Sequence, residues 1–332
     1  MNENNETINL KADIEDVGMR LDIFLSEKVR DWSRSRLKKL IDEGDVLVNG
    51  GAIKSSYKLR DGDEIFVEFT EQDGDTFEPE NIPFEIVFED EYLAVINKPA
   101  GMVVHPGAGV PNGTLANAIA WHFKFKIQDS RFKIEDEDEE SQKPKSKIQN
   151  RIGIVHRLDK ETSGLIVVAK NEITHEKLSA QFHDRKVRKS YVALVHGFVR
   201  KLEGKVEEPI ARDRKNRVKM AVDKNGRNAL SIYKVRTRFE NFTLLDVDIK
   251  TGRTHQIRVH LSHINHPIVG DETYNGGRDN QIEDAQLRKA IRNLNRFFLH
   301  AEKLSLTHPV RKAKMDFEQP MPDELTDLLK LL

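Results

Sequence analysis

Read for the alternation of apolar and polar positions, the chain divides into a short N-terminal unit and a much longer second one. Leu21, Phe24, Leu25 and Val29 recur at the spacing of one helix face and predict an amphipathic helix. Ser33 is a good N-cap for a second helix over 34–43, which Gly44 ends. Residues 45–51 read as a short strand entering an Asn-Gly turn, and 65–69 alternate with period two as a closing strand. We therefore delimit a small helix-plus-strand domain at 18–75, behind an N-terminal extension at 1–17. Residues 76–83, with Pro79 and Pro83, form an acidic linker.

The second unit, 84–332, opens with two strands around an acidic turn at 84–98 and a Gly/Pro-punctuated loop at 99–107. Thr114 caps a helix carrying Leu115, Ala118, Ile119 and Trp121. Residues 165–169, Leu-Ile-Val-Val-Ala, read as a buried strand. Thr174 opens a helix with Leu178 and Phe182; 190–197 form a strand with alternating faces; 229–238 and 242–249 alternate as a hairpin. Residues 251–261 turn into an amphipathic helix, and 322–332 form the last one. So many short strands joined by hairpin turns predict an α+β chain, with a mostly antiparallel mixed sheet flanked by helices rather than a doubly wound parallel sheet. Between 128 and 149 a block of acids at 135–140 precedes Lys143, Lys145 and Lys147, the pattern of a solvent-exposed insertion.

Composition narrows the function more than the fold. Among 332 residues, 38% apolar and 33% charged suits a globular protein with a well-charged surface. The absence of cysteine excludes a disulfide framework, a thiolate metal site and a Cys nucleophile. No apolar run approaches the roughly 18 residues of a membrane helix, and the first residues show no basic-then-apolar leader. The expectation is a soluble cytoplasmic protein with no membrane partner. A net charge of −1 looks wrong for a nucleic-acid binder, but the distribution is uneven. Residues 61–97 hold thirteen Asp or Glu and no Lys or Arg, whereas 181–220 hold twelve Lys or Arg against five acids, a local +7. A basic segment of that size can meet phosphates while the acidic face points away.

The densest chemistry precedes the strand at 165–169, where His156, Arg157, Asp159, Lys160 and Glu161 are crowded together. Charged side chains are rarely buried unless paired. A lone carboxylate with cations on both sides is held ionised and aimed, as a nucleophile must be. A tight turn, with Asp159 capping backbone amides and pairing with an arginine, fits the spacing equally well. Arg34, Arg36 and Lys38 project from the N-terminal half of the second helix, where cations oppose the helix dipole unless phosphates are the intended neighbours; an ordinary solvated face is the alternative. By composition alone Tyr191 reads as packing. His255, His260, His263 and His266 invite a metal site, yet no cysteine or paired carboxylates accompany them, so none is expected.

Longer motifs carry a resemblance. His-Arg-Leu-Asp-Lys-Glu-Thr-Ser-Gly-Leu at 156–165 resembles the catalytic motif of the RluA/RluD family of RNA pseudouridine synthases, which implies that Asp159 is catalytic. Lys-Ser-Tyr-Val-Ala-Leu-Val-His-Gly at 189–197 resembles the family's second motif, whose tyrosine, here Tyr191, lies against the target base. The run at 251–261 resembles the third, whose arginine pairs with the catalytic Asp; that implies Arg258, with Arg253 as second candidate. Residues 20–22, 33–37, 44–50 and 59–63 resemble the S4 RNA-binding domain. The resemblance spans nearly the whole chain apart from its first residues and the 128–149 insertion.

What it implies is an isomerase, most like the RluD branch, which acts on large-subunit ribosomal RNA, naked or in an assembling subunit. His156, Arg157, Lys189, Arg253, Arg34, Arg36 and Lys38 would contact RNA. The reaction is redox neutral and transfers no group, so no cofactor is expected, and a monomer is. Tyr191 is also a possible base for the C5 proton, and whether Asp159 attacks the sugar, attacks the base or removes a sugar proton is open. Three alternatives stand beside this reading. They are the same reaction on transfer RNA or another ribosomal site, a glycosylase with Glu161 as its only nearby second carboxylate, and a non-catalytic S4-type assembly factor.

Overall fold

The structure is a computed structural model that describes residues 6–29, 34–69, 78–107, 110–131, 153–213, 216 and 219–332. Its N-terminal unit comprises β1 (Glu6–Lys11), α1 (Leu21–Lys28), α2 (Arg34–Glu43), β2 (Val46–Val48), β3 (Gly51–Ala52) and β4 (Glu64–Phe69). The strands form one antiparallel sheet in the order β1-β4-β2-β3. Phe24 and Leu25 of α1 and Leu37 and Ile41 of α2 bury against Val46, Ile65 and Val67, giving the unit a core of its own. Asn49 and Gly50 both take positive φ, 52° and 75°, as a two-residue hairpin turn requires.

The boundary at residue 18 needs correcting. Residues 6–11 are no extension outside the unit, because β1 pairs with β4 along its whole length and Ile8 and Leu10 pack on the same core. A closing strand with a bare edge exposes unpaired backbone groups, and this segment covers it. Ser33, the expected N-cap of α2, lies outside the described residues, as does the start of the linker. The end of the linker is stitched to the second unit: Asn117 Nδ2 donates to the Glu78 carbonyl, and the Gly113 amide donates to the Glu80 carboxylate, each at 2.8 Å.

In the second unit come β5 (Glu85–Glu89), β6 (Leu93–Lys98), α3 (Leu115–Arg131), β7 (Gly153–Ile154), β8 (Ser163–Ala169), α4 (Glu172–His183) and β9 (Arg188–His196). Then follow β10 (Glu203–Val206), β11 (Ile210–Arg212), β12 (Met220–Val222), β13 (Ser231–Arg238), β14 (Phe242–Ile249) and α5 (Gln256–His263). The chain ends with α6 (Ala285–Asn293), β15 (Leu299–Thr307), β16 (Lys314–Glu318) and α7 (Asp323–Leu329). Ten strands form one mixed sheet in the order β10-β13-β14-β9-β15-β8-β6-β5, with β16 on β15 and β7 on β8. Among the described residues its one parallel pairing is β8 with β15, so the expected mostly antiparallel mixed sheet is what the chain builds.

Period-two burial explains the continuous apolar runs at the centre of this sheet. In β8, Leu165 and Val167 face one core, with Leu178 of α4, while Ile166 and Val168 face the other, with Leu115, Ile119, Ile257 and Leu325. A strand covered by helices on both faces has no polar side to show. Helix α4 begins at Glu172, not Thr174, because the Asn171 side chain accepts the Thr174 amide and leaves Thr174 buried inside the first turn. Helix α3 runs on to Arg131, so the first residues of the expected 128–149 insertion are helical; 132–149 lie outside the described residues.

One feature of the sheet makes room for a site. β8 and β15 pair only at Ser163 with His300 and at Gly164 with Ala301. Gly164 sits at φ +110°, and a Cβ there would lie 2.3 Å from the Ala301 carbonyl oxygen, so only glycine lets the two strands approach. Beyond this pair they part. The freed edge of β8 is taken by β7, whose Gly153 and Ile154 pair with Ala169 and Val168, and then by the loop 155–162.

Candidate active site

The loop 155–162 is held from three directions. His156 Nε2 accepts the Val167 amide at 3.0 Å, continuing the β7 pairing by a side chain, and its ring stacks on Phe182 at 4.6 Å. Burial, with the charge of Lys189 nearby, pulls the His156 pKa down to about 3, so the ring stays neutral and able to accept. Leu158 is buried in the main core. The Asp159 carbonyl accepts the Thr162 amide at 3.1 Å, which closes a tight turn through Lys160 and Glu161.

The third hold comes from a residue that sequence reading did not single out. Lys98, at the end of β6, is fully buried, and its Nζ donates to the carbonyls of Pro99, Met102 and Lys160 at 2.7, 2.9 and 3.0 Å. It ties the Asn-Lys-Pro-Ala-Gly loop to the peptide that follows Asp159. Burial, then the charge of Arg296, draws its pKa down to about 7 against the opposite pull of Glu161 and Asp159. A lysine closing an apolar strand was the available signal, since such a residue must find oxygen partners if it goes inside.

Asp159 points into a cleft of about 480 Å³, where β8 and β15 part, with Tyr191, Lys189, Phe182 and the segment 250–258, which runs into α5, among its walls. That volume falls in the range of small-ligand sites, roughly 300–1,000 Å³. Arg258 Nη1 donates to Asp159 Oδ2 at 3.2 Å. The same guanidinium is forked onto Asp271, Nε to Oδ2 at 2.7 Å and Nη2 to Oδ1 at 2.9 Å. The rings of Phe297 and Tyr274 flank it, at 4.3 and 4.9 Å. Burial works against its charge, but the bonds to Asp271 and the charges of both carboxylates prevail and raise its pKa. Arg258 is thus fixed on three sides and spends its remaining edge on Asp159.

Helix α5 aims Arg258, and its start shows why Arg253 does not do the same. Gln256 is buried; its Oε1 accepts from the Thr251 hydroxyl at 2.7 Å and from the Arg253 amide at 3.1 Å, while its Nε2 donates to the Leu230 carbonyl. His255 then turns the chain through the left-handed region at φ 55°. Arg253 is left before the turn, on the cleft wall, with Nε donating to the Asn228 carbonyl. Arg258 lies within the first turn of the helix, facing Asp159.

Tyr191, on β9, is buried against the main core and also lines the cleft. Burial, and then the charge of Asp159, pushes its phenol up. Lys189 lies on the same wall, its ammonium 5.4 Å from the Phe182 ring, and burial draws its pKa down to about 8. Arg157 is exposed at the cleft mouth. Lys38 is exposed on α2, whereas the side chains of Arg34 and Arg36 lie outside what the structure describes. The four histidines diverge: His255 meets the Tyr274 hydroxyl, His260 meets Ser231 and the Glu208 carbonyl, His266 meets the His196 carbonyl, and His263 is exposed. Among the described residues, no three or more His, Asp or Glu converge as a metal site.

Comparison with known proteins points the same way. The sequence pattern of the family described as RNA pseudouridylate synthase matches residues 92–263, and that of the S4 domain matches 19–65. Ribosomal large subunit pseudouridine synthase D of Pasteurella multocida is 39% identical, over 98% of this chain and 95% of its own length. An uncharacterized RNA pseudouridine synthase of Aquifex aeolicus is 42% identical, over 95% and 94%. Among solved structures, human RNA pseudouridylate synthase domain containing 4 has a TM-score of 0.55 at 24% identity, over 74% of this chain and 92% of its own, a likeness of fold.

Proposed function

Because the chain belongs to the RNA pseudouridylate synthase family, we propose that it isomerises uridine to pseudouridine in large-subunit ribosomal RNA, with Asp159 as the carboxylate at the reacting sugar. The observation that carries the assignment to Asp159 is its pairing, in the cleft, with an arginine that a second buried carboxylate already holds in place.

The reaction breaks the bond between N1 of uracil and C1′ of ribose, turns the detached base, and joins C1′ to C5. The C5 proton is lost and N1 gains one, so the atoms balance without an outside reactant. Cleavage builds positive charge at C1′, which a carboxylate beside it stabilises or captures. One carboxylate suffices, because the leaving base is also the acceptor. A glycosylase needs a second group to activate water; neither Glu161, the carboxylate adjacent in sequence, nor Asp271, which is committed to Arg258, is among the residues lining the cleft, which favours the isomerase.

A stacked uridine must be extruded to reach Asp159, and the ring of Tyr191 offers a surface in place of the lost stacking. With its phenol pushed up by burial and by Asp159, Tyr191 stays protonated at neutral pH and serves as an aromatic wall and donor rather than a resting base. On this reading Lys189 and Arg157, which line the cleft, and Lys38, exposed on α2, contact RNA phosphates. The S4 domain supports a structured RNA as substrate, and the relative named for the large ribosomal subunit supports that RNA over transfer RNA.

The test is product analysis after incubation with unmodified large-subunit ribosomal RNA, the corresponding ribosomal particle and transfer RNA. Pseudouridine in the large-subunit RNA, free or in the particle, with no free uracil, is the expected result. Free uracil would point to a glycosylase, modification of transfer RNA alone would move the substrate, and no product on any of the three would favour a binding factor.

A further inference from the structure

β11 pairs with β12, Ile210–Arg212 against Met220–Val222, as a hairpin that is separate from the main sheet and lies at the end of the basic segment of the chain. It docks on α5 through a small apolar cluster: Ile210, Met220 and Val222 meet Ala229, Val259 and Tyr274. Tyr274 is where this cluster touches the site. Its hydroxyl oxygen accepts the Met220 amide at 2.8 Å and also meets His255 Nδ1 at 2.9 Å. One residue therefore joins a strand of the hairpin to the left-handed turn that opens α5. Its ring has a second set of neighbours, with the Arg258 guanidinium at 4.9 Å and the Lys219 ammonium at 6.0 Å. Lys219 also donates to the Thr273 carbonyl at 2.5 Å, a second tie between the hairpin and the segment of Tyr274.

Taken together, the hairpin, the His255 turn and the Arg258 guanidinium meet at one side chain. Moving the hairpin moves the hydroxyl contact to His255, and His255 precedes the helix that aims Arg258 at Asp159. Ring and hydroxyl constrain two separate parts of that path, which is how a group outside the reacting atoms sets their geometry. Misplacement of a reacting group by about 1 Å can cost on the order of a hundredfold in rate.

We propose that Tyr274 is a positioning residue for Arg258, through which the docked hairpin sets the placement of that guanidinium against the catalytic carboxylate. The proposal rests on the reading of Asp159 given above. A strand amide bonded to an aromatic hydroxyl beside the site makes placement of Arg258 depend on the hairpin, and a basic hairpin is an element that RNA phosphates can hold.

The experiment uses the full chain, large-subunit ribosomal RNA (or the particle, if that is the active substrate) tritiated at uracil C5, and single-turnover kinetics, with RNA affinity measured separately by filter binding. Tyr274→Phe removes only the hydroxyl and is expected to slow isomerisation about tenfold, the effect of one such hydrogen bond, with RNA affinity within about twofold of wild type. Tyr274→Leu also removes the ring beside Arg258 and is expected to slow it about a hundredfold, again with affinity retained. Tyr274→Phe keeps the packing and decides the matter should Tyr274→Leu fail to fold. Rates within about twofold of wild type for Tyr274→Phe, or a loss of rate matched by an equal loss of RNA affinity, would overturn the proposal. Asp159→Asn is run alongside: full activity there would remove the underlying reading of the site, whereas an inert Asp159→Asn beside an unaffected Tyr274→Phe would remove only the role of Tyr274.

Discussion

Asp271 grips the Arg258 guanidinium by both Nε and Nη2, at 2.7 and 2.9 Å, and leaves the arginine one edge with which to meet Asp159. The two residues are thirteen apart in sequence and both buried. Asp271 therefore determines where the positive charge of the site sits, although it does not face the substrate itself.

Removing that grip has a defined cost. Asp271→Asn keeps the shape but withdraws the charge that compensates a buried guanidinium, and breaking a buried ion pair from one side costs about 3–5 kcal/mol. The variant is expected to unfold at a clearly lower urea concentration, and its folded fraction to isomerise uridine at least about tenfold more slowly, because the arginine is no longer held toward Asp159. Urea titration followed by single-turnover tritium release checks both. A stability change below about 1 kcal/mol would show that the pair is not compensated as described.

Tyr191 separates two uses of one side chain. If its ring supplies the surface for an extruded uracil, Tyr191→Phe keeps most of the rate, to within about tenfold, while Tyr191→Leu loses about a hundredfold, in line with the roughly 1–3 kcal/mol that base–aromatic stacking contributes. The measurement is the single-turnover rate on the same RNA for both variants. An inert Tyr191→Phe would instead make the hydroxyl the group the reaction needs.

The neutral ring of His156 predicts how stability changes with acid. Its folded-state pKa of about 3 lies below its ordinary value of 6.5, so between those pH values the unfolded chain binds a proton that the folded chain does not. Stability then rises with pH across this window and falls as the solution is acidified through it, by at most about 1.4 kcal/mol per pH unit from this one group. His156→Gln can still accept the Val167 amide but has no proton to bind. It is expected to flatten the dependence of unfolding free energy on pH between about 3 and 6.5 relative to wild type, as measured by urea titration at several pH values. An unchanged slope would contradict the neutral, buried acceptor.

Much of the fold was legible where periodicity was clean. Helix α2 runs over the residues its pattern predicts, and the hairpin of β13 and β14 lies where alternation places it. β1 was not legible: its short, mostly polar run gains its meaning only from the bare edge of β4, about sixty residues away in sequence. The start of α4 was misread because Asn171 and Thr174 are both capping types, and only the buried position of Thr174 separates them.

The site divides in the same manner. The contiguous motif around Asp159 could be read directly, because its chemistry is written in adjacent residues. Arg258 and Arg253 could not be told apart by spacing, since the left-handed turn at His255 decides which one enters the helix. Lys98, Asp271 and Tyr274 were missed because each acts through a partner brought close by folding: the Lys160 carbonyl for Lys98, the guanidinium for Asp271, and the hairpin for Tyr274. Lys98 alone left a local mark, as a lysine closing an apolar strand; the partnerships of Asp271 and Tyr274 leave none.

The most direct test of the account is tritium release from large-subunit ribosomal RNA, free or in the particle and labelled at uracil C5, by wild-type protein and by Asp159→Asn. Release by the wild type, with RNA binding intact but release abolished in Asp159→Asn, is the predicted result. Release by Asp159→Asn at the wild-type rate would contradict the assignment of the catalytic carboxylate.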